Sequence, residues 1–435
     1  MSVPPPLVFL CFSLGFLIRL VFLKSAFLTN ALASRVEIST PLTSWKRAVE
    51  GVSLLKHGTD PYDSDIFHES PLALIIYDYL LSYPEEWIPV IFALCDVITA
   101  VVLSFTSKIY LDESSIKEKE LSSVPPSAKS LLLTPEDVKW VPFYVAFVYL
   151  LCPYSVVSCG GKSTVTFSNL ILAFFILSTV AGKWLSASLL LSVLSYHSFY
   201  HISLLVPLIM YIHQKNSGKK KVLHITKLLT VVVVYFLATI ILIMTSHKLI
   251  GSWHFLQSTY GCILSVPDLT PNIGLFWYFF TEMFEHFRIF FLWTFQLNVF
   301  VYTAPLAIRL RKEPIFLLFI QLIIITIFKS YPCIGDVAFY FSLLPMWSHL
   351  FHFMRQRFIV SCVLASCTLL APTLWHLWIY SGSANANFYF AITLAFNTGQ
   401  VFLLTDILSA FIKREYYLEN GVKYEDGTLV LLRLQ

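Results

Sequence analysis

The sequence predicts an all-α, polytopic helical membrane protein with about twelve transmembrane helices. Three observations support this fold class: the composition, the recurrence of long apolar stretches, and the position of the basic residues. Of the 435 residues, 57% are hydrophobic and only 13% are charged, whereas soluble globular chains carry about 25% charged residues. Apolar stretches of about 20 residues, the length of a membrane-spanning helix, recur through most of the chain.

These stretches predict helices at approximately 5–27, 86–110, 140–158, 164–181, 184–197, 198–214, 225–246, 282–304, 314–330, 336–353, 358–380 and 388–411. Residues 184–214 fit either two short helices that meet near Tyr196 and His201 or one long kinked helix. We interpret residues 5–27 as a retained helix, because the stretch is longer than the apolar core of a signal peptide and has no basic segment before it. Arg19 is expected to face the bundle.

The basic residues indicate how these helices are oriented. With an even number of helices, nearly every compact basic cluster falls on one face, at 108–139, 215–227, 309–312, 355–357 and 413–414. By the positive-inside rule that face is cytosolic, and both termini lie on it. The chain is therefore predicted to form a single membrane-embedded domain, 1–435, with a cytosolic linker at 111–139 and a cytosolic tail at 412–435. A cluster of Lys219, Lys220 and Lys221 is predicted to bind anionic phospholipid at this surface.

The opposite, non-cytosolic face collects the polar and turn-forming segments. They are a first loop at 28–85, a turn at 160–162, and the segments 247–281, 331–336 and 381–387. Within the first loop, helical patterns begin near Trp45 and Pro71, and we expect these two helices to lie in the membrane interface. Function is expected on this face.

The stretch 265–287 interrupts an otherwise apolar chain. Two prolines, a glycine and three polar residues, including Asn272, precede five successive aromatic residues at 276–280. A break in a membrane chain must lie at the water interface or around a buried cavity, because lipid offers no partner for a freed backbone group. One interpretation is a non-spanning aromatic ledge, with Trp277, Tyr278 and Phe279 touching lipid or a lipid head group. The other is a loop followed by the amphipathic start of a helix.

No residue pattern indicates a catalytic centre, a metal site or a cofactor. The sequence Asp63, Ser64, Asp65 forms a short D-x-D pattern in a turn-rich segment, and Glu282 and His286 share one helix face, but neither supplies a complete set of ligands. The eight cysteines are scattered, with no C-x-x-C pair. A net charge of +4 is small, and no nucleic-acid partner is predicted.

Several long runs resemble the PIG-U family of subunits of the glycosylphosphatidylinositol (GPI) transamidase complex. The runs are PLTSWKRAVEG (41–51), PYDSDIFHESPL (61–72), SVPDLTPNIGLFWYFFTEMFEHF (265–287), IFKSYP (327–332), LWHLWIYSGSANANF (374–388) and KREYYL (413–418). They are ordered and cover nearly the whole chain, while residues 111–139 and 212–250 resemble the family least.

The resemblance implies a function in the endoplasmic reticulum membrane. The complex joins the new C-terminus of a precursor protein to the ethanolamine of a GPI lipid, and its cysteine-protease chemistry belongs to another subunit. The family is similar to GT-C mannosyltransferases, whose acidic pair after the first helix is absent here, where only Glu37 stands. The resemblance therefore implies a GT-C-like, non-catalytic subunit that binds GPI and other transamidase subunits. The alternative is an active GT-C glycosyltransferase of GPI biosynthesis that uses a dolichol-phosphate sugar and depends on Glu37, or on Asp63 with Asp65.

The loop at 382–387 is the candidate site for the GPI head group. Asn385 and Asn387 offer both hydrogen-bond donors and acceptors, which suit hydroxyl- and phosphate-rich ligands, although the same residues also suit a plain turn. With the resemblance, we predict a GPI-binding set made of Ser383, Asn385, Asn387, Asn272, Trp277, Tyr278 and Phe279.

Overall fold

The computed structural model describes residues 4–120, 124–215, 221–422, 424–425 and 428–429, and this part of the chain is helical almost throughout. The strands found in it are β1 (Tyr424–Glu425) and β2 (Thr428–Leu429), which pair antiparallel as a short hairpin near the C-terminus. The predicted all-α class is confirmed.

The α-helices follow in chain order as α1 Pro5–Lys24, α2 Ala26–Ala33, α3 Trp45–Lys56, α4 Pro71–Leu81, α5 Trp87–Glu120, α6 Pro135–Leu151, α7 Pro153–Gly160, α8 Val165–Val180, α9 Trp184–His197, α10 Leu205–Lys215, α11 Lys221–Ile250, α12 His254–Leu256, α13 Cys262–Ser265, α14 Phe276–Glu282, α15 Glu285–Val301, α16 Thr303–Arg309, α17 Pro314–Phe328, α18 Ile334–Leu343, α19 Arg357–Ile379 and α20 Ala386–Asn420. Short 3₁₀ helices lie at Pro126–Leu131, Phe199–Leu204 and Leu344–Phe353, and one π-helical turn lies at Gln257–Gly261.

Among the described residues, six helical segments are long and apolar enough to cross a membrane. They are α1, α5, α11, α15 together with α16, α19 and α20. The helical segment 126–151 and α7 meet at a 47° bend. If these two form one span, the number of candidate spans is seven. The structure confirms a multi-pass helical membrane protein but not the predicted count of about twelve spans.

The difference in count comes from apolar helices that are short. Helix α17 has 15 residues, and 14 of them are buried; α8 has 16 residues. A helix that is hydrophobic all round is typical of a protein interior as well as of a membrane span. Hydropathy alone therefore counts both kinds of helix, whereas the structure separates them by length.

A buried ion pair ties α1 to the bundle. Arg19 donates from Nε to the carboxylate of Asp96 on α5, and both side chains are buried. Its Nη1 donates to the Leu150 carbonyl oxygen at 2.8 Å, and its Nη2 to the Ser155 hydroxyl at 2.9 Å. The Tyr149 hydroxyl donates to Asp96 at 2.6 Å. Arg19 thus faces the bundle, as predicted, and both charges have the hydrogen-bond partners that buried charges require.

Residues 184–214 form two helices rather than one. Helix α9 ends at His197, and Ser198 takes an extended conformation with φ −146° and ψ 111°. The 3₁₀ segment Phe199–Leu204 follows before α10 begins. The extended residue breaks the helical hydrogen-bond pattern, so the two-helix interpretation is the one that the structure supports.

The first loop, 28–85, is folded onto the ends of the bundle helices. Helices α3 and α4 lie within it, close to the predicted positions. One face of α3 is buried against aromatic residues: the ring centroids of Trp45 and Phe92 are 5.2 Å apart. A Cβ at Gly51 would lie 2.8 Å from the Phe67 ring, so this helix can approach the loop only because position 51 has no side chain.

The polar segments predicted to share one face come together. The backbone N–H of Thr164 donates to the Thr43 carbonyl oxygen at 2.9 Å, and that of Ile334 donates to the Glu37 carbonyl oxygen at 3.0 Å. We call the part of the molecule formed by residues 28–85, 160–164, 247–281, 331–336 and 381–387 the loop end. The candidate site lies there.

At the other end, the predicted linker and tail are partly helical. Helix α5 continues to Glu120, and α20 continues to Asn420. Arg414 on α20 donates from Nη2 to Glu118 at 2.6 Å and to the Leu131 carbonyl oxygen at 2.9 Å. These contacts pack part of the segment 111–139 against α20.

Candidate functional site

The break in the chain at 266–275 is held in place by contacts with the first loop and with Tyr331. Arg47 on α3 donates from Nη2 to the Asp268 carboxylate at 2.9 Å, and the Tyr331 hydroxyl donates to the Asp268 carbonyl oxygen at 3.0 Å. Partial burial raises the pKa of the Asp268 carboxyl, but hydrogen bonds from Thr270 and the charge of Arg47 outweigh it, so the pKa lies below its usual value. Asp268 therefore carries a negative charge that is held in place by these contacts.

Asn272 stabilises the turn that follows. Its Oδ1 accepts from the Gly274 N–H at 2.7 Å, and its Nδ2 donates to the Thr270 carbonyl oxygen at 3.3 Å. The residue is buried. Next to it, the Ile273 carbonyl oxygen accepts from Nδ2 of Asn397 on α20 at 2.6 Å. The turn is thereby attached to α20, and the polar atoms of Asn272 already have partners.

The aromatic row at 276–280 divides between two neighbours. All five residues lie in α14, a helix separate from α15. Tyr278 stacks on Phe390 of α20 with ring centroids 4.5 Å apart, and Trp277 contacts the same ring. Phe279 instead stacks on Phe295 of α15 at 4.8 Å. Successive helical residues point in different directions, so the side chain of Phe279 points away from those of Trp277 and Tyr278.

Trp277 and Tyr278 belong to an aromatic cluster that joins α14, α19 and α20. We define the aromatic cluster as Trp277, Tyr278, Trp375, Trp378, Tyr389 and Phe390. The Trp277 Nε1 is buried without a hydrogen-bond partner among the described residues, whereas the buried Tyr389 hydroxyl faces the Glu37 carboxylate. Buried polar groups normally have partners, so the Trp277 N–H is an unsatisfied donor within the aromatic cluster.

A charged pair lies against this cluster. Arg35 bonds Glu37 through two contacts, Nη2 to Oε1 at 2.9 Å and Nε to Oε2 at 3.1 Å. Its guanidinium carbon lies 5.9 Å from the centroid of the Trp375 ring. The Arg35 side chain is 21% exposed and the Glu37 side chain 10%. Glu37 is thus already neutralised by a bidentate partner, and Arg35 keeps some access to solvent.

An apolar cavity of about 410 Å³ opens beside the Arg35–Glu37 pair. Besides the pair, its wall comes from α2, α7, α19 and α20, with lining residues that include Leu32, Val157, Ala371, Ile392 and Phe396. A second cavity of about 810 Å³ lies between α7 and α19 and reaches Arg357. The two cavities share Pro153, Tyr154 and Thr368. We call the two together the α19 groove.

The loop at 382–387 lies next to the aromatic cluster. Asn385 is the N-cap of α20, and its Oδ1 accepts from the Asn387 N–H at 3.1 Å. The Ser383 hydroxyl shares a hydrogen bond with the Ser381 hydroxyl at 2.9 Å. Ser383, Asn385 and Asn387 are all exposed. Ala386, which lies between Asn385 and Asn387, packs against the aromatic cluster, whereas the polar atoms of Asn272 are turned into their own loop.

A sequence profile of the PIG-U family, described as GPI transamidase subunit PIG-U, matches residues 13–396. The chain belongs to the PIG-U family. The resemblance inferred from the sequence is confirmed.

Curated relatives of this PIG-U family member match it over nearly their full lengths. The chain is 44% identical to the human protein named GPI-anchor transamidase component PIGU, over 96% of this chain and 97% of that one. It is 32% identical to GPI transamidase component GAB1 of Saccharomyces cerevisiae, over 91% of each chain. The homologue of GAB1 in Schizosaccharomyces pombe is 28% identical over 92% of each chain.

The predicted phospholipid contacts cannot be placed within this site. Lys219 and Lys220 lie outside the described residues, and Lys221 is described only as the first residue of α11. The prediction for Lys219, Lys220 and Lys221 stays a prediction.

The acidic residues considered as catalytic or metal-binding lie apart from the α19 groove, with the exception of Glu37. Asp63 contacts His254 rather than Asp65. Glu282 closes α14, whereas Glu285 and His286 start α15, and all three are exposed. Among the described residues, none of these three belongs to a group of ligands placed to hold a metal ion.

A buried carboxyl of the first loop lies deeper in the loop end. Glu69 accepts hydrogen bonds from the Tyr77 hydroxyl at 2.6 Å and the Thr164 hydroxyl at 2.9 Å. Burial, only partly offset by these bonds, raises the pKa of Glu69 to about 7. This carboxyl ties the first loop to the start of α8.

The sequence analysis missed Arg35 and the aromatic partners on α19 and α20. A signal for the aromatic residues was present, because Trp375 and Trp378 stand in the run LWHLWIY that resembles the PIG-U family. Tyr389 directly follows the full run LWHLWIYSGSANANF at 374–388. Hydropathy assigned these residues to the ends of two spanning helices, and only the contact between α14 and α20 shows that they form a cluster.

Proposed function

We propose that this chain is a non-catalytic subunit of a GPI transamidase complex. In this role it binds the GPI lipid and presents it for attachment to the C-termini of precursor proteins. The family match and the names of the human and yeast relatives, all described as GPI transamidase components, support the role. Its partners would be the other subunits of the complex, including one that carries the catalytic cysteine.

The observation that carries the lipid-binding part of the proposal is the α19 groove. A glycolipid needs apolar walls for its acyl chains and hydrogen-bonding groups for its head. The groove supplies apolar walls from α7, α19 and α20, and the Arg35–Glu37 pair stands at its edge. Its two cavities of about 410 and 810 Å³ fall in the range of ligand pockets, roughly 300–1,000 Å³.

The head group would lie above this groove, at the loop 382–387. Ser383 and Asn387 are exposed there, and the amide of Asn387 can both donate and accept hydrogen bonds. Nε and Nη2 of Arg35 bond Glu37, and the remaining guanidinium nitrogen, Nη1, suits a charge-assisted hydrogen bond to a phosphate. The buried, unpaired N–H of Trp277 lies in the same region. Asn272 and Phe279 then act by shaping the support rather than by contacting the lipid.

The placement in the membrane is part of the proposal. We infer a multi-pass protein of the endoplasmic reticulum membrane, with the loop end in the lumen, both termini cytosolic and a GT-C-like arrangement of about twelve helices. Basic residues near the opposite end support this orientation: Arg309 pairs with Glu415 at 2.9 Å, and Lys413 and Arg414 lie on the same helix as Glu415. Phospholipid bound at Lys219–Lys221 would lie on that cytosolic side.

The alternative, an active glycosyltransferase, requires a carboxylate free to act as a base. Glu37 is held by two guanidinium nitrogens of Arg35, and Asp63 contacts His254. These contacts favour the non-catalytic role. Sugar transfer by the purified chain alone, lost on Glu37→Gln, would establish the transferase instead.

Substitution of Asn387 tests the lipid site most cleanly, because the described hydrogen bond of Asn387 comes from its backbone N–H rather than from its side chain. Asn387→Trp would block the space beside the loop. In cells that lack the endogenous subunit, we expect the GPI that co-purifies with the variant complex to fall on the order of tenfold. Surface display of GPI-anchored proteins should fall with it.

The matched control is Asn420→Trp, an exposed asparagine at the other end of the same helix. It should leave both readouts at the wild-type level, and assembly with the other subunits should be equal for both variants. GPI co-purifying with Asn387→Trp at the wild-type level, with normal surface display, would show that the head-group site is elsewhere.

A further inference from the structure

Three potential metal ligands converge at the loop end, away from the α19 groove. Asp60 and Asp63 belong to the first loop, and His254 begins α12, about 190 residues later in the chain. One carboxylate oxygen from each aspartate and one imidazole nitrogen all lie within 4.8 Å of one another. Nδ1 of His254 is 2.5 Å from Oδ1 of Asp63 and 3.9 Å from Oδ2 of Asp60.

These separations are close to those of a tetrahedral zinc site. With zinc–ligand bonds of about 2.1 Å, two tetrahedral ligands lie about 3.4 Å apart. The two distances from His254 lie on either side of that value, and all three ligand atoms lie within 4.8 Å of one another, so small rotations of the exposed Asp63 and His254 side chains would bring the three atoms to one centre. The side chains of Asp63 and His254 are 58% and 64% exposed, which leaves room for water as a fourth ligand.

One ligand is already held in place. Asp60 accepts at Oδ1 from the Tyr62 N–H at 2.9 Å and at Oδ2 from the Ser252 hydroxyl at 2.7 Å. Such bonds from outside the ligand set orient a ligating carboxylate. Because Ser252 precedes His254 by two residues, the bond also fixes the segment that carries the imidazole.

We propose that Asp60, Asp63 and His254 form a zinc site that joins the first loop to the segment 251–258. An imidazole with two carboxylates favours zinc, since calcium and magnesium select sites built from oxygen alone. The site would stabilise the loop end, and it is independent of the GPI-binding function proposed above.

The competing account is a hydrogen-bonded ion pair without metal. In that account the imidazole of His254 donates a hydrogen bond from Nδ1 to Asp63. The same Nδ1 remains 3.9 Å from Oδ2 of Asp60. Exposed pairs of this kind contribute little to stability. The two accounts differ in a measurable way, because only the metal site makes stability depend on zinc.

The experiment uses the full chain purified in detergent, stripped of metal by a chelator and then titrated with Zn²⁺ against a chromogenic zinc indicator. We expect about one tightly bound zinc per chain. Asp63→Asn and His254→Gln should each weaken binding at least tenfold. Zinc should raise the thermal unfolding midpoint of the wild type but not that of either variant.

Two matched controls lie nearby: Asp65→Asn removes an exposed carboxylate from the same loop, and His57→Ala removes an exposed imidazole. Both should bind zinc as the wild type does. X-ray absorption at the zinc edge should show nitrogen and oxygen neighbours without sulfur, which separates this site from the cysteines. Equal zinc binding by the wild type and His254→Gln, no binding by either, a sulfur neighbour, or displacement by millimolar Ca²⁺ or Mg²⁺ would each overturn the proposal.

Discussion

At the scale of single residues, the bundle depends on a few polar contacts in an apolar interior. The pair formed by Arg19 and Asp96 joins α1 to α5, and the Tyr149 hydroxyl supplies a further hydrogen bond to Asp96. Removing both charges from such a pair can be nearly neutral, whereas removing one leaves an uncompensated buried charge. The contribution of each residue therefore depends on the presence of its partner.

Asp96→Asn is expected to destabilise the chain by about 3–5 kcal/mol, because Arg19 would stay buried without its counter-ion. The measurement is the free energy of unfolding of the purified chain in mixed detergent micelles. Asp112→Asn on the same helix is the control: Asp112 is exposed, so the change should stay within about 0.5 kcal/mol. Equal effects of the two substitutions would contradict the structural role given to the pair.

At the scale of elements, the start of α20 combines capping with the proposed ligand contacts. Asn385 caps the helix through its side chain, while Asn387 contributes its backbone N–H to the same bond. Asparagine and serine are both good N-cap residues because their side-chain oxygens accept from the first free N–H groups. The stability of this helix end and its binding chemistry can therefore be separated by substitution.

Asn385→Ala is expected to lower the stability of the first turn of α20 by about 1 kcal/mol, and Asn385→Ser should restore most of it. Hydrogen exchange of the amides at 387–390 measures this locally. Asn387→Ala keeps the backbone donor and should leave exchange unchanged. Faster exchange in Asn387→Ala than in Asn385→Ala would contradict the assignment of Asn385 as the cap.

At the scale of the whole molecule, the loop end is a second core built on the ends of the bundle helices. Arg47 and Asp268 join the first loop to the break at 266–275, and Glu69 joins it to the start of α8. The aromatic cluster then joins α14 to α19 and α20. Loop regions usually open more easily than helix bundles, but these ties give the loop end fixed positions from which to hold a ligand.

The buried Glu69 makes the stability of this region depend on pH. Burial raises its pKa from 4.5 to about 7, so between these values the folded state holds more protons than the unfolded state. The free energy of unfolding therefore falls as the pH rises from about 4.5 to about 7, by an amount on the order of 3 kcal/mol from this group. Unfolding midpoints in detergent across this pH range measure the slope.

Glu69→Gln should remove this part of the pH dependence, so that the difference between wild type and variant changes most between about pH 4.5 and 7. Glu50→Gln serves as the control, because Glu50 lies in the same loop and is exposed. A Glu69→Gln profile parallel to that of the wild type would show that the pKa of Glu69 does not differ between the folded and unfolded chain.

The sequence by itself determined the helical class, the membrane character and the family. Apolar stretches and turn residues are local signals, so α3, α4 and the break at 266–275 were predicted close to where they lie. The sequence also indicated that the polar segments share one face, because alternate spans must return to the same side. Asn385 and Asn387 were singled out for the same local reason, their position in a polar turn.

The tertiary structure decided which helices are interior and which residues meet. Helix α17 is apolar all round whether it faces lipid or protein, so only its length and packing exclude it from the longer spans. Likewise, the contact of Trp277 with Tyr389 joins residues 112 positions apart, and the approach of His254 to Asp63 joins residues 191 positions apart. Local patterns carry no information about such distant pairings, because the pairings depend on how whole helices pack.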